Sequence, residues 1–379
     1  MRPRPESTNF FPARRQHAPS RQAGAAHGRQ QAAKMQELVY FPDTEPGIRR
    51  QRCGRGFRYL GPDGGPVGAE DRARIAALAI PPAYERVWIC PDPLGHLQAT
   101  GHDARGRKQY RYHAGWTELR AARKYEALAA FGRALPRIRR HIARGLSAEV
   151  TEAEAVVAAV SGLLDRLALR IGNDDYATEN GSYGLTTLLP RHMRIEAGEI
   201  AFRFPGKSGK LIECRLRDRR LHRALERMQD LRGARLFVWR DAEGGRHALT
   251  SEMVNLWLAR AAGAPVSAKT FRTWAGTLAA FQIALAGEAT AAALARAAAE
   301  RLHNTPTVAR TSYVHPAVLA LAEDRAGLRR LRPARLSGLR AGEGALIAFL
   351  ERAARTAAAG AARTEMRPET RTGAPARAA

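Results

Sequence analysis

The apolar pattern of this chain changes character at Ala114-Gly115-Trp116, and the change divides it in two. Before that point apolar residues come in short runs: Leu38-Val39-Tyr40-Phe41, Gly56-Phe57-Arg58-Tyr59-Leu60, Arg86-Val87-Trp88-Ile89-Cys90 and residues 96–101. Turn formers such as Gly61-Pro62-Asp63-Gly64-Gly65-Pro66 and Pro91-Asp92-Pro93-Leu94-Gly95 part them. This predicts strands, with one helix over 70–78. After that point the period is mostly helical. A basic helix is predicted over 118–143, broken at Pro136, and a second over 147–169. In the second, Val156, Val157, Val160, Leu163, Leu164 and Leu167 share one face; Ser147 is its N-cap, and Thr151 with Glu154 has capping-box spacing one turn later. Residues 174–188 read as loop leading into a strand, and 192–195, 199–204 and 211–216 as strands. Helices follow over 220–231, 251–261, 268–285, 289–302, 317–321 and 342–354. The fold class is α+β. A β-rich N-terminal domain over 37–115 joins a mostly α-helical domain over 116–354 that holds a small β-sheet. Residues 1–36 read as a disordered basic arm and 355–379 as a disordered Ala/Arg-rich tail.

The 379 residues carry 62 Lys and Arg against 36 Asp and Glu, a net charge of +26. Six of these charges belong to residues 1–36 and three to 351–379, which leaves +17 on 37–350. A basic folded part predicts a polyanionic partner, double-stranded DNA foremost. An arginine-biased genome explains Arg in place of Lys but not the excess over acid. No apolar run approaches the roughly 18 residues of a membrane helix. The first residues lack the apolar core of a secretory signal. The expectation is a cytoplasmic, nucleoid-associated protein away from membranes. Cys53, Cys90 and Cys214 suggest neither a disulfide framework nor a zinc site, and no metal is expected.

Residues 103–113 alternate aromatic, amide and basic side chains. On a strand, Gln109, Arg111 and His113 face one way and Lys108, Tyr110 and Tyr112 the other. A β-ribbon can lay such a row in a major groove; an ordinary half-buried strand reads the same way. Four further stretches hold the parts needed to attack a phosphodiester. They are Arg170-Ile171-Gly172-Asn173, Pro205-Gly206-Lys207-Ser208-Gly209-Lys210, Lys269-Thr270-Phe271-Arg272-Thr273 and His303-Asn304-Thr305-Pro306 leading to Tyr313. Arginine forks bind two phosphate oxygens at once and stabilise the charge that builds there. A lysine at a hairpin tip can give a proton to the leaving oxygen. A tyrosine can take the phosphoryl group covalently. Singly each has a bland reading: an arginine paired with a carboxylate, a turn lysine, a core tyrosine. The Gly-Lys-Ser triplet is no Walker loop, because position 201 is Ala and strand follows.

Together these stretches resemble the type IB DNA topoisomerases, in the small poxvirus-like form found also in bacteria. That family builds its site from an Arg-Ile-Gly motif, a Gly-Lys hairpin, a Lys-x-x-Arg-Thr motif and a His- or Asn-Thr-Pro…Tyr segment. The resemblance covers about residues 37–350. It implies Tyr313 as nucleophile, Lys207 as general acid, and Arg170, Arg272 and Asn304 on the non-bridging oxygens. Asn304 stands nine residues before Tyr313, where viral members have histidine. His303 stands where glycine is more usual. A shift of one residue on a helix turns a side chain by about 100°, so Asn304 is taken as the fifth catalytic position. Arg107, Lys108, Gln109, Tyr110 and Tyr112 match the family's DNA-contacting strand; Tyr176, Lys210 and Lys269 are further DNA-binding candidates. The activity implied is relaxation of supercoiled DNA by a monomer that nicks one strand, lets the duplex rotate and reseals it. It needs no ATP and no cofactor, with magnesium as a stimulant of product release. Tyrosine recombinases and integrases resemble the same catalytic set. They usually carry His-x-x-Arg where this chain has Lys269-Thr270-Phe271-Arg272, and a helical N-terminal domain. A DNA-binding protein that has lost catalysis is the other reading, and the complete set argues against it.

Overall fold

A computed structural model of the chain describes residues 38–147, 150–229, 234–332 and 336–365, apart from the side chains of 175, 176, 229, 325 and 360–365. The expected basic arm lies outside the described residues, as does the tail beyond residue 365. The chain forms two compact units that divide between Arg123 and Lys124.

The first unit is built on a five-stranded antiparallel sheet, β1 (Ile48–Cys53), β2 (Gly56–Leu60), β3 (Glu85–Ile89), β4 (Leu97–His102) and β5 (Lys108–Tyr112), in the order β2-β1-β3-β4-β5. Helix α1 (Ala69–Ala77) lies between β2 and β3 in the chain. Its small core is Ile48, Val67, Ile75, Val87, Ile89 and Ala99. Strand β1 is absent from the pattern reading because Ile-Arg-Arg-Gln-Arg-Cys carries one buried apolar residue. Its ladder with β2, from Arg49↔Leu60 to Cys53↔Gly56, holds it instead. Residues 38–41 are not a strand but a single bridge from Val39 to Gly95. The Phe41 N–H is taken by the His96 ring at 2.9 Å, so no ladder continues.

Helix α2 (Ala114–Glu126) starts at the expected boundary and runs across the division between the units. The expected break at Pro136 falls instead at Ala127; Pro136 lies inside α3 (Leu128–Gly145). Leu128, Leu135 and Ile138 are fully buried, and this packing offsets the one backbone hydrogen bond a proline forfeits. Helix α4 (Glu152–Leu167) begins one turn later than Ser147. Thr151 is its N-cap and accepts from the Glu154 N–H at 3.3 Å. Residues read as loop form α5 (Asp174–Asn180) and a 3-10 turn over Leu185–Thr187. Then come the antiparallel sheet β6 (Met193–Glu196), β7 (Glu199–Pro205) and β8 (Leu211–Leu216), helix α6 (Arg219–Gln229), and the hairpin β9 (Val238–Arg240) and β10 (Arg246–Ala248). Helices α7 (Ser251–Ala262), α8 (Ala268–Leu285), α9 (Ala291–Leu302), α10 (Pro306–Ser312), α11 (Pro316–Ala320), α12 (Arg325–Arg329) and α13 (Glu343–Glu365) complete the unit. Helix α13 continues into the stretch expected as tail, where its Ala and Arg residues favour helix. Among the described residues no helix is long and apolar enough to cross a membrane.

Helix α8 is the axis of the second unit. Phe271, Trp274, Ala280 and Phe281 are buried in its core. A buried ion network fixes its roll. Arg139 of α3 bonds Asp165 of α4 at 3.0 Å and Glu343 of α13 at 2.7 Å, and Trp274 of α8 donates to Glu343 at 3.4 Å. Burial pushes the Glu343 carboxyl up, but hydrogen bonds from Arg139 and the Arg340 N–H hold it below its ordinary range.

Candidate active site

Helix α4 ends at Ala168, which turns left-handed (φ 51, ψ 32) and brings the chain to Arg170. This stretch is stitched to the turn after α5: the Leu185 and Thr186 N–H groups donate to the Arg170 and Ile171 carbonyls at 2.9 and 2.7 Å. Gly172 has φ +105, and a Cβ there would lie 2.9 Å from Thr186 Oγ1, so Arg-Ile-Gly needs its glycine for both backbone and space.

Arg272 sits one turn into α8 and is 4% exposed. Its fork donates to the carbonyls of Ala168 and Leu302, the latter at 3.0 Å. These carbonyls belong to the C-terminal ends of α4 and α9, where helices leave acceptors unsatisfied and favour positive charge. Two helix ends therefore fix the guanidinium. Its Nε has no partner among the described residues. Its carbon lies 5.1 Å from the centroid of the Tyr313 ring.

Helix α9 stops at His303, which is left-handed (φ 50) and serves as its C-cap. The turn delivers Asn304, whose Oδ1 accepts from Arg170 at 2.6 Å. That fixes the amide's orientation. Its Nδ2 is buried without a partner among the described residues, a donor left unspent. Tyr313 follows α10 as its C-cap. Its backbone lies against α8, where Thr277 Oγ1 donates to the Tyr313 carbonyl at 3.0 Å and accepts from the His315 N–H at 3.1 Å. A Cβ at Gly276 would stand 3.2 Å from the Tyr313 Cβ. Gly276 and Thr277 thus seat the tyrosine. Their spacing from Arg272, one turn along a helix, is the signal that could have singled them out.

Arg170, Arg272, Asn304 and Tyr313 are brought together. No carboxylate pairs with either arginine among the described residues. Burial, then the charge of Arg170, pushes Arg272 down to about 10. Burial alone would raise the Tyr313 phenol, but the charge and hydrogen bond of Arg272, with Arg170 and Lys269, bring it below its ordinary range. Burial, then the charges of Lys210, Arg272, Arg301 and Arg170, push the His303 imidazole below its ordinary range.

Lys207 is not joined to these four by any hydrogen bond among the described residues. It is exposed at the β7–β8 tip, where Ser208 (φ 63) and Gly209 (φ 72) make the turn. The base of that hairpin does reach them: Gly206 and Ile212 line one cleft with Arg170, Arg272 and His303. Lys210 and Lys269 are exposed, Lys269 in the first turn of α8. The side chain of Tyr176 lies outside the described residues.

In the first unit, Tyr110 and Tyr112 stack at 6.1 Å between centroids and are 49% and 42% exposed. Lys108 stands 5.5 Å from the centroid of the Tyr110 ring and pairs with Asp43 at 2.5 Å. Asp103 receives Arg107 at 2.6 Å and the Gln109 amide at 3.0 Å. Hydrogen bonds from Arg107 hold the Asp103 carboxyl down to about 2. The tyrosines are open, while acids occupy the basic side chains.

Comparison with known proteins gives the same reading. The family described as eukaryotic DNA topoisomerase I, catalytic core, matches residues 113–313, a range that takes in Arg170, Lys207, Arg272, Asn304 and Tyr313. The bacterial DNA topoisomerase IB N-terminal domain matches residues 56–103. The DNA topoisomerase 1B of Acanthamoeba polyphaga mimivirus is 30% identical over 237 residues, 61% of this chain and 70% of its own length. The DNA topoisomerase 1B of Vaccinia virus (strain Copenhagen) is 28% identical over 124 residues, 33% of this chain and 39% of its own.

Proposed function

Because this chain belongs to the type IB DNA topoisomerase family, we propose that it relaxes supercoiled double-stranded DNA through a tyrosine-linked nick. The observation that carries this is the meeting of Tyr313 with two guanidiniums that no carboxylate neutralises, beside an amide donor left unspent. A phosphodiester supplies the missing anion. Arg170, Arg272 and Asn304 then bind its non-bridging oxygens, and the charge gained in the transition state is stabilised by groups already in place. The Tyr313 oxygen attacks phosphorus and gives up its proton to solvent water. The bond from phosphorus to the 5′ oxygen breaks, and Lys207 protonates that oxygen. The 3′ phosphate stays on Tyr313, the 5′ hydroxyl end turns about the intact strand, and the reverse reaction reseals. The phosphotyrosyl bond stores what resealing needs, so ATP has no step to drive. Magnesium speeds product release. Tyr110, Tyr112, Lys108, Arg107 and Gln109 grip the duplex once phosphates displace Asp43 and Asp103; Lys210 and Lys269 add contacts near the site, and Tyr176 is a further DNA-binding residue. The enzyme works as a monomer in the cytoplasm, on the nucleoid.

Supercoiled plasmid incubated with the protein in EDTA, without ATP, should relax to a ladder of topoisomers. Full-length protein that binds plasmid yet leaves it supercoiled contradicts the proposal.

Lys207→Ala tests the division of labour. Its side chain is exposed, so folding should be unchanged, while cleavage slows by about 10²–10⁴-fold, the usual worth of a general acid. A substrate whose leaving 5′ oxygen is replaced by sulfur needs no proton. That substrate should restore Lys207→Ala to near the wild-type rate; an equal loss on both substrates removes Lys207 from this role.

A further inference from the structure

Lys124 belongs to none of the motifs above, yet it touches the nucleophile's own segment. Its ammonium donates to the carbonyl of Ser312, the residue before Tyr313, at 2.9 Å. Ser312 is the last residue of α10, where a carbonyl has no partner within the helix and a cation is favoured. The stem of Lys124 is half-buried, with the ammonium 4.0 Å from the centroid of the Tyr125 ring. That ring meets the His315 ring edge-on at 5.2 Å. No carboxylate pairs with Lys124 among the described residues, and the charge next to it is another cation, Lys269. Burial, then Lys269, brings the Lys124 ammonium down to about 8. A half-buried cation kept without a counter-ion costs stability, and such groups gather at working sites.

We propose that Lys124 is a positioning residue for the transesterification, holding the segment on both sides of Tyr313. The inference rests on the proposed role of Tyr313 as nucleophile. On the upstream side the ammonium fixes the Ser312 carbonyl. On the downstream side its charge acts on His315. Burial and Lys124 push that imidazole down to about 4, so it stays neutral. The neutral Nδ1 accepts the Ala317 N–H at 3.1 Å and caps α11. With Thr277 bonded to the Tyr313 carbonyl, the tyrosine has a fixed point on each side. Its ring is thereby held over Arg272. Displacement of a reacting group by about 1 Å can cost about 100-fold in rate.

The test is single-turnover cleavage of a duplex at saturating protein, alongside duplex affinity and thermal midpoint. Lys124→Met keeps the stem and removes the donor. It should cut the cleavage rate about tenfold or more, leave the affinity within about twofold and leave the protein folded. Lys124→Arg, which still donates and stays charged, should recover most of the rate. Lys124→Gln separates donor from charge: recovery assigns the effect to the Ser312 bond, and failure assigns it to the charge that acts on His315. Met at the wild-type rate overturns the proposal. So does a loss confined to affinity, or a loss in Met and Arg alike that follows the thermal midpoint. A wild-type protein that forms no adduct on Tyr313 defeats the parent reading and this one with it. Adduct formation with an unaltered Met variant defeats this one alone.

Discussion

Tyr313→Phe should lose DNA cleavage by about five orders of magnitude or more, the scale seen when a covalent nucleophile is removed, and should remain folded and bound to DNA. The structure separates the two properties. The ring keeps its place over Arg272, because a phenyl face attracts a guanidinium as a phenol does. The backbone keeps its bond from Thr277 and its close approach to Gly276. Only the hydroxyl goes. Plasmid relaxation, duplex affinity and thermal midpoint measured on one preparation check this. Relaxation at more than a trace of the wild-type rate would mean another group attacks.

Arg272→Ala should cost about 10³–10⁵-fold in cleavage, the range for an arginine that neutralises phosphoryl charge in a transition state. Here a second effect accompanies it. The guanidinium also satisfies carbonyls at the ends of α4 and α9, and leaving a buried acceptor without a partner costs about 1–3 kcal/mol. The alanine variant should therefore melt earlier as well. Arg272→Lys keeps a cation but loses the planar fork that reaches both helix ends and the phosphate at once. It should regain part of the thermal stability and little of the rate. A lysine variant that cleaves near the wild-type rate would show that position 272 needs only charge.

The proposed catalytic set was chosen from the sequence on local devices that short stretches announce. Gly172 marks a backbone crossing, Lys207 a hairpin tip, and Lys269-Thr270-Phe271-Arg272 the first turns of a helix. The stacked face of Lys108, Tyr110 and Tyr112 was legible for the same reason, since strand alternation is local. What could not be read depends on residues far apart in the chain. Strand β1 has little apolar pattern and exists through its ladders. Pro136 looks like a break until the buried Leu135 and Ile138 around it are seen. The acid that holds Lys108, the helix ends that anchor Arg272, and the reach of Lys124 to Ser312 are all tertiary contacts. No motif spacing encodes them.

The central claim is that Tyr313 takes the 3′ phosphate of a nicked strand. Duplex DNA labelled along one strand, trapped with the protein and digested to peptides, tests it most directly. The account predicts label on the peptide that contains Tyr313, joined through a 3′ phosphate, with a free 5′ hydroxyl on the departing end. Label on a different residue, or a 5′ phosphate attached to the protein, would contradict it.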